Sequence, residues 1–106
     1  MSNPTITVTA DGATGAMVSS PTSLRTSGAV DITNNYGSAI WYIFSTSTSW
    51  PSGQSGTQLP NNNTANETIT VSGYFLFAAQ SGGPPLTSTQ TSKTGGDDLA
   101  PPKPSK

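Results

Sequence analysis

Five acidic side chains, Asp11, Asp31, Glu67, Asp97 and Asp98, are the obvious candidates for acid–base chemistry in this 106-residue chain, which contains no histidine and no cysteine. Without those two residue types, Ser–His and Cys–His nucleophile arrangements are excluded, as are zinc sites built on their side chains. Hydrolysis of a glycoside needs two carboxyls held at a set separation across a cleft. Asp31 with Glu67 is the one pair that falls on predicted strands or their ends. The competing reading makes both of them solvated charges that discourage pairing at a sheet edge. A Ser–Lys dyad would have to recruit Lys93, Lys103 or Lys106 from the C-terminal segment. Calcium would draw on Asp11 and on the amide oxygens of Asn61, Asn62 and Asn63, yet the acids are scattered without EF-hand spacing. The sequence therefore leads to no catalytic residue, no metal site and no cofactor.

Binding chemistry is better represented. Aromatic rings stack on sugar faces and amides read hydroxyl positions, and Tyr36, Trp41, Tyr42, Trp50 and Tyr74 are enough to build such a platform. The glycan site expected on this basis consists of Tyr36 and Trp50 with Asn61, Asn62 and Asn63. Against it, Trp41 or Tyr42 must enter the core whichever face turns inward, and Trp50 beside Pro51 is equally suited to lid the open end of a sandwich. Asn62-Asn63-Thr64 and Asn66-Glu67-Thr68 fit the N-glycosylation pattern, but with seven asparagines and so much Ser and Thr, about two such matches arise by chance.

Composition narrows the classes further. The chain is long enough for one domain with an adequate core. Charged residues make up 8% of it and the net charge is -1, so it lacks the electrostatic footprint of a nucleic-acid binder. Roughly a third of the residues are Ser or Thr. That usage suits strands with hydroxyl-bearing outer faces, and it suits an extracellular or virion surface. The N-terminus, MSNPTITVTADG, shows neither the basic nor the apolar part of a signal peptide. Its apolar runs, such as Ala39 to Phe44, fall far short of the roughly 20 residues of a membrane-spanning helix. The expectation is a soluble chain that does not insert into membranes and reaches an exterior by lysis, by a signal-independent route or after loss of a leader.

The elements that must position these residues read as strands. Thr5 to Ala10 alternates Thr5, Thr7 and Thr9 against Ile6, Val8 and Ala10, and Asp11-Gly12 ends it. Residues 13–28 offer Met17, Val18 and Leu24 as core candidates in one or two short strands, with Pro21 marking an edge or a crossing loop. Val30 to Ser47 reads as a β-hairpin turning at Asn34-Asn35-Tyr36-Gly37. Trp50 to Glu67 is a long polar connection with Leu59 as its core anchor. Thr68 to Val71 alternates with Ile69 and Val71 inward, and Ser72-Gly73 turns it into Tyr74 to Ala79. These segments make up a domain over residues 1–82. Residues 83–106, rich in Pro, Gly, Ser and Thr, with Leu86 and Leu99 and a Gly95-Gly96 hinge, read as an extended arm that docks on a partner.

Two strands stand apart because both of their faces are apolar. In Ala39 to Phe44, Ala39, Trp41 and Ile43 oppose Ile40, Tyr42 and Phe44; in Tyr74 to Ala79, Tyr74, Leu76 and Ala78 oppose Phe75, Phe77 and Ala79. A sandwich core covers one set of each. The strands are expected to neighbour each other in one sheet, with the second face covered by another chain or by the arm. Ile40, Tyr42, Phe44, Phe75 and Phe77 are assigned to that interface, with the opposite set as the alternative. The fold expected is all-β, an immunoglobulin-like antiparallel β-sandwich of about seven short strands with an extended C-terminal tail.

The order of an alternating strand, the run IWYIFS, a Ser/Thr/Gly-rich loop with Leu59-Pro60, then TITVSG and YFLFAAQSGG resembles small immunoglobulin-like β-sandwich modules. Such modules serve as decoration or fibre domains of tailed-phage particles and as accessory domains of bacterial surface enzymes. The resemblance spans roughly Val30 to Gly83 and carries no functional residue with it. It implies a non-enzymatic structural or binding module on a larger assembly, most concretely a decoration or minor structural protein of a virion capsid or tail, with protein partners or its own copies. A carbohydrate-binding or adhesion module is the alternative, and an enzyme comes third.

Overall fold

The structure, a computed structural model, describes residues 3–94. Among the described residues there are nine strands and no helix. They are β1 (Thr5–Ala10), β2 (Met17–Ser20), β3 (Ser23–Thr26), β4 (Ala29–Asn35), β5 (Ile40–Ser45), β6 (Thr57–Leu59), β7 (Thr64–Thr68), β8 (Gly73–Ala78) and β9 (Thr87–Lys93). They form a β-sandwich of one four-stranded sheet, in the order β2-β1-β4-β7, and one five-stranded sheet, in the order β3-β9-β8-β5-β6.

The sheets are mixed where antiparallel ones are expected: β1 runs parallel to β4 and β3 parallel to β9, while every other pair is antiparallel. The second parallel pair follows from the chain changing sheets at Ser20 to Ser23, around Pro21. Nine strands replace the expected seven because three segments without a strong apolar signal, β6, β7 and β9, pair with β5, β4 and β8 respectively, while one expected strand is lost. Thr68 to Val71 is not a strand of its own. Thr68 ends β7, Ile69 is buried, and Val71 is 51% exposed in the bend that follows instead of pointing inward.

The hairpin expected over Val30 to Ser47 does not form: β4 belongs to one sheet and β5 to the other. Asn34 accounts for the crossing. Its side chain is fully buried, accepts a hydrogen bond from the Tyr36 N–H at 2.8 Å, and donates to the carbonyls of Ser38 at 2.8 Å and Leu59 at 2.9 Å. A buried amide is tolerated only when its groups are paired, and here the pairing both shapes the turn and ties β4 to β6 across the sandwich.

The proposed boundary at residue 82 is also displaced. Strand β9, inside the expected arm, is hydrogen-bonded between β8 and β3. Its inward side chains are Thr89 and Thr91, both fully buried, with Thr89 Oγ1 donating to Pro21 O at 2.8 Å and Thr91 Oγ1 to Thr89 O at 3.2 Å. A strand whose core contacts are threonines carries no apolar alternation to read. The Gly95-Gly96 hinge and Leu99 lie outside the described residues.

Ile6, Val8, Met17, Val30 and Ile32 from the four-stranded sheet meet Leu24, Ile40, Tyr42, Leu59, Phe75 and Phe77 from the other in a single core. Four of the five residues assigned to an interface, Ile40, Tyr42, Phe75 and Phe77, are thus core residues exposed by 3% or less. The fifth, Phe44, packs edge-on against Phe75 with ring centroids 5.0 Å apart. Phe44 also needs Gly73, where a Cβ would fall 2.7 Å from its ring and 2.5 Å from Ser45 O.

Two outcomes check this account. Asn34→Ala strips three hydrogen bonds from groups around a buried site and should lower unfolding free energy by about 2–4 kcal/mol in urea titration. Removing residues 87–106 should abolish cooperative unfolding, because it takes away a central strand; a truncated chain with an unchanged melting transition would contradict the placement of β9.

Candidate functional site: the outer face of the five-stranded sheet

With Ile40, Tyr42, Phe75 and Phe77 turned inward, strand alternation turns Trp41, Ile43, Tyr74, Leu76 and Ala78 outward. The register brings them together: Trp41 pairs with Ala78, Ile43 with Leu76, and Tyr74 with Ser45. Leu76 and Ala78 are fully covered, and Leu76 takes no part in the inter-sheet core. Trp41, Ile43 and Tyr74 remain partly exposed around them. Leu86, 54% exposed, donates its N–H to Phe77 O at 2.8 Å and so extends the ladder one residue before β9, on the outward side by alternation with Thr87.

Polar residues frame this apolar centre. Outward positions on the flanking strands are Gln58 on β6 and Ser88, Gln90 and Ser92 on β9, and none of the outward positions on β5, β6, β8 or β9 is charged. A hollow of about 220 Å³ opens at the Tyr74 end, lined by Tyr74, Gln90 and Ser92 among others. Leu86 stands at the opposite end, next to Thr87, which pairs with Phe77. The Trp50 indole is half-buried, donates from Nε1 to Gln54 O at 2.7 Å, and lies over two glycines. A Cβ at Gly83 would come within 2.9 Å of that ring, and one at Gly56 within 2.6 Å.

The outer face of the other sheet is its opposite in character. Thr5, Thr7, Thr9, Asp31, Thr33, Thr64 and Asn66 point outward there, tied by Thr33 Oγ1 to Thr64 Oγ1 at 2.9 Å and by Asn66 Nδ2 to Asp31 Oδ1 at 2.6 Å. Val18, 40% exposed at its edge, is an isolated apolar residue.

The other residues singled out in the sequence fall apart as a site. Asp31 and Glu67 lie on neighbouring strands but on opposite faces, because Asp31 pairs with Asn66 and Glu67 pairs with inward-facing Val30. Their carboxyls cannot converge on one bond. Glu67 points inward and accepts a hydrogen bond from the Tyr42 hydroxyl. Asp11 accepts from Thr14 N at 3.0 Å and Thr14 Oγ1 at 2.8 Å, and those bonds hold its carboxyl below its ordinary range while fixing the β1–β2 turn. No group of three or more acidic residues that could hold a metal occurs among the described residues. Of the expected glycan residues, Tyr36 and Asn61 come together, since Asn61 Oδ1 accepts from Gly37 N at 2.9 Å, and Asn62 and Asn63 pair with the backbone of Asn34. Trp50 packs instead between Gly56 and Gly83. Asp97, Asp98, Lys103 and Lys106 lie outside the described residues.

Sequence reasoning had the outer-face residues only as an alternative set. The inward-pointing Glu67 was the missing signal: a carboxylate on the edge strand β7 finds its partner in a phenol, so Tyr42 and not Trp41 must face it. An inward charge on such a strand also blunts edge-to-edge pairing.

No protein-family model matches the chain, and no curated protein matches it. The fold and the geometry of its faces therefore carry the functional reading.

Burial first, and then the hydrogen bond and negative charge of Glu67, raise the Tyr42 phenol well above its ordinary range. The unfolded phenol ionises near about pH 10, so the advantage of the folded state is complete below that pH and is lost as pH rises through the folded-state value. Thermal stability of the wild type should therefore fall on titration above about pH 10, and Tyr42→Phe should start lower at neutral pH and show a flatter alkaline limb. Identical alkaline limbs would show that the Tyr42–Glu67 bond contributes nothing.

Proposed function

We propose that this chain is a non-enzymatic structural module that attaches to a larger protein assembly through the outer face of its five-stranded sheet, most concretely as a decoration or minor structural protein on a virion. The observation that carries this reading is the face itself: an uncharged apolar centre of Trp41, Ile43, Tyr74 and Leu86 over buried Leu76, framed by Gln and Ser. An apolar centre within a polar rim is how protein–protein contacts are built. The resemblance of the chain to immunoglobulin-like particle modules supplies the setting. A virion or extracellular surface also fits the polarity contrast between the two faces, since the threonine-rich face suits solvent while the other suits a partner. The opposed directions of Asp31 and Glu67 remove the one carboxylate pair that had suggested hydrolysis.

Glycan recognition is the less supported reading, because Trp50 packs against Gly56 and Gly83 while Asn61 is held by the Gly37 N–H.

Co-sedimentation of the purified protein with particles from its source tests the proposal. Ile43→Lys should reduce attachment at least about tenfold, as expected for a charge buried in an interface centre, while circular dichroism stays that of a β-sandwich. Undiminished attachment would overturn the role of this face. Binding on a glycan array that disappears in Trp50→Ala would overturn it in favour of sugar recognition.

A further inference from the structure

We infer that the first partner of this face is a second copy of the same chain, paired face to face about a two-fold axis. The inference rests on reading the outer face of the five-stranded sheet as an interface and adds the identity of its occupant. Two features of the face favour a copy of itself over an unlike protein.

The first is electrostatic. Two identical surfaces can meet only if no charge is brought against its own image, and like charges juxtaposed across an interface are strongly disfavoured. The outward positions of β5, β6, β8 and β9 are free of charge, and the nearest outward cation, Arg25, stands on the edge strand β3. The rim of Gln58, Ser88, Gln90 and Ser92 consists of side chains that donate and accept, so each can pair with a copy of the same set.

The second is shape. An exposed leucine, Leu86, stands at the end that precedes β9, and a hollow of about 220 Å³ opens at the other end beside Tyr74, Gln90 and Ser92. Leu86 and Ser92 are separated along β9 by six residues, roughly 20 Å of extended chain. A two-fold axis lying in the interface and running across the strands reverses the strand direction, which sets Leu86 of one copy over the hollow of the other at both ends simultaneously. That is the self-complementarity a two-fold contact requires.

Size sets the strength of the contact. The four charge-free strands, about 4.8 Å apart, with about 3.3 Å per residue over five or six residues, give a footprint of roughly 19 by 18 Å. Two such faces bury on the order of 700 Å² in total, below the roughly 1,200 Å² of a stable interface and in the range of weak, transient contacts. The contact is therefore expected to be reversible, with a dissociation constant of about 0.1–1 mM.

Sedimentation equilibrium of the full chain from micromolar to millimolar concentration tests this. The expected result is a reversible monomer–dimer equilibrium whose association constant falls at least tenfold in Ile43→Lys and in Leu86→Lys. Leu86 is already more than half exposed, so its substitution reads the contact independently of folding. Val18→Lys, on the opposite sheet, should leave association unchanged. A monomer throughout the range overturns the inference, as does an equal loss with Val18→Lys. A monomer that nonetheless attaches to particles, and loses attachment in Ile43→Lys, overturns self-pairing alone and leaves the attachment reading in place.

Discussion

A single buried amide decides how this chain divides between its two sheets. Asn34 sits at the end of β4 with no exposed surface, and its three hydrogen bonds reach Tyr36, Ser38 and Leu59. The backbone of the same residue pairs with Asn62 and Asn63. Five residues from two stretches of sequence, 36–38 and 59–63, thereby converge on one residue. Were Asn34 apolar, the carbonyl of Leu59 would be buried without its donor and the turn at Tyr36 would lose its anchor. The crossing from β4 to β5 that follows is what sends the most apolar strand of the protein into the five-stranded sheet.

With no disulfide, other polar contacts hold the remaining borders of the sandwich. Ser19, fully buried on β2, reaches Thr87 Oγ1 at 2.9 Å and Ser88 O at 3.0 Å on β9. Tyr42 meets Glu67 between β5 and β7. Each of these bonds joins one sheet to the other, and each is made between partners buried enough that an unpaired group would cost about 1–3 kcal/mol. The apolar core supplies the bulk of the stabilisation, while these contacts fix the two sheets in one relative setting. That setting produces the contrast between the outer faces, one lined with threonine and asparagine, the other with tryptophan, isoleucine and tyrosine.

The strong periodic segments were legible from residues alone. Thr5 to Ala10 is β1 with Ile6 and Val8 inward, and Ala39 to Phe44 and Tyr74 to Ala79 correspond to β5 and β8 side by side, as their apolar runs suggested. What could not be read was which face of β5 and β8 turns inward, because both faces are apolar and only the Tyr42–Glu67 pairing distinguishes them. Strand β9 escaped for the converse reason: its core side chains are Thr89 and Thr91, and a Ser/Thr-rich strand looks the same as a Ser/Thr-rich tail. Asn34 and Tyr36 looked like a hairpin turn because turn residues signal a reversal without saying whether the next strand returns to the same sheet. The glycan residues were grouped by loop composition, whereas the packing of Trp50 against Gly56 and Gly83 is visible only in three dimensions.

We propose that Trp41 and its neighbours form a contact face that is open in the free chain and covered in the associated one. Fluorescence of the Trp50→Phe variant, in which Trp41 is the sole indole, reads this directly on dilution from millimolar to sub-micromolar concentration. The account predicts an emission maximum that shifts to the red as the chain is diluted, with a midpoint matching dissociation. An emission maximum unchanged across the whole range would contradict it.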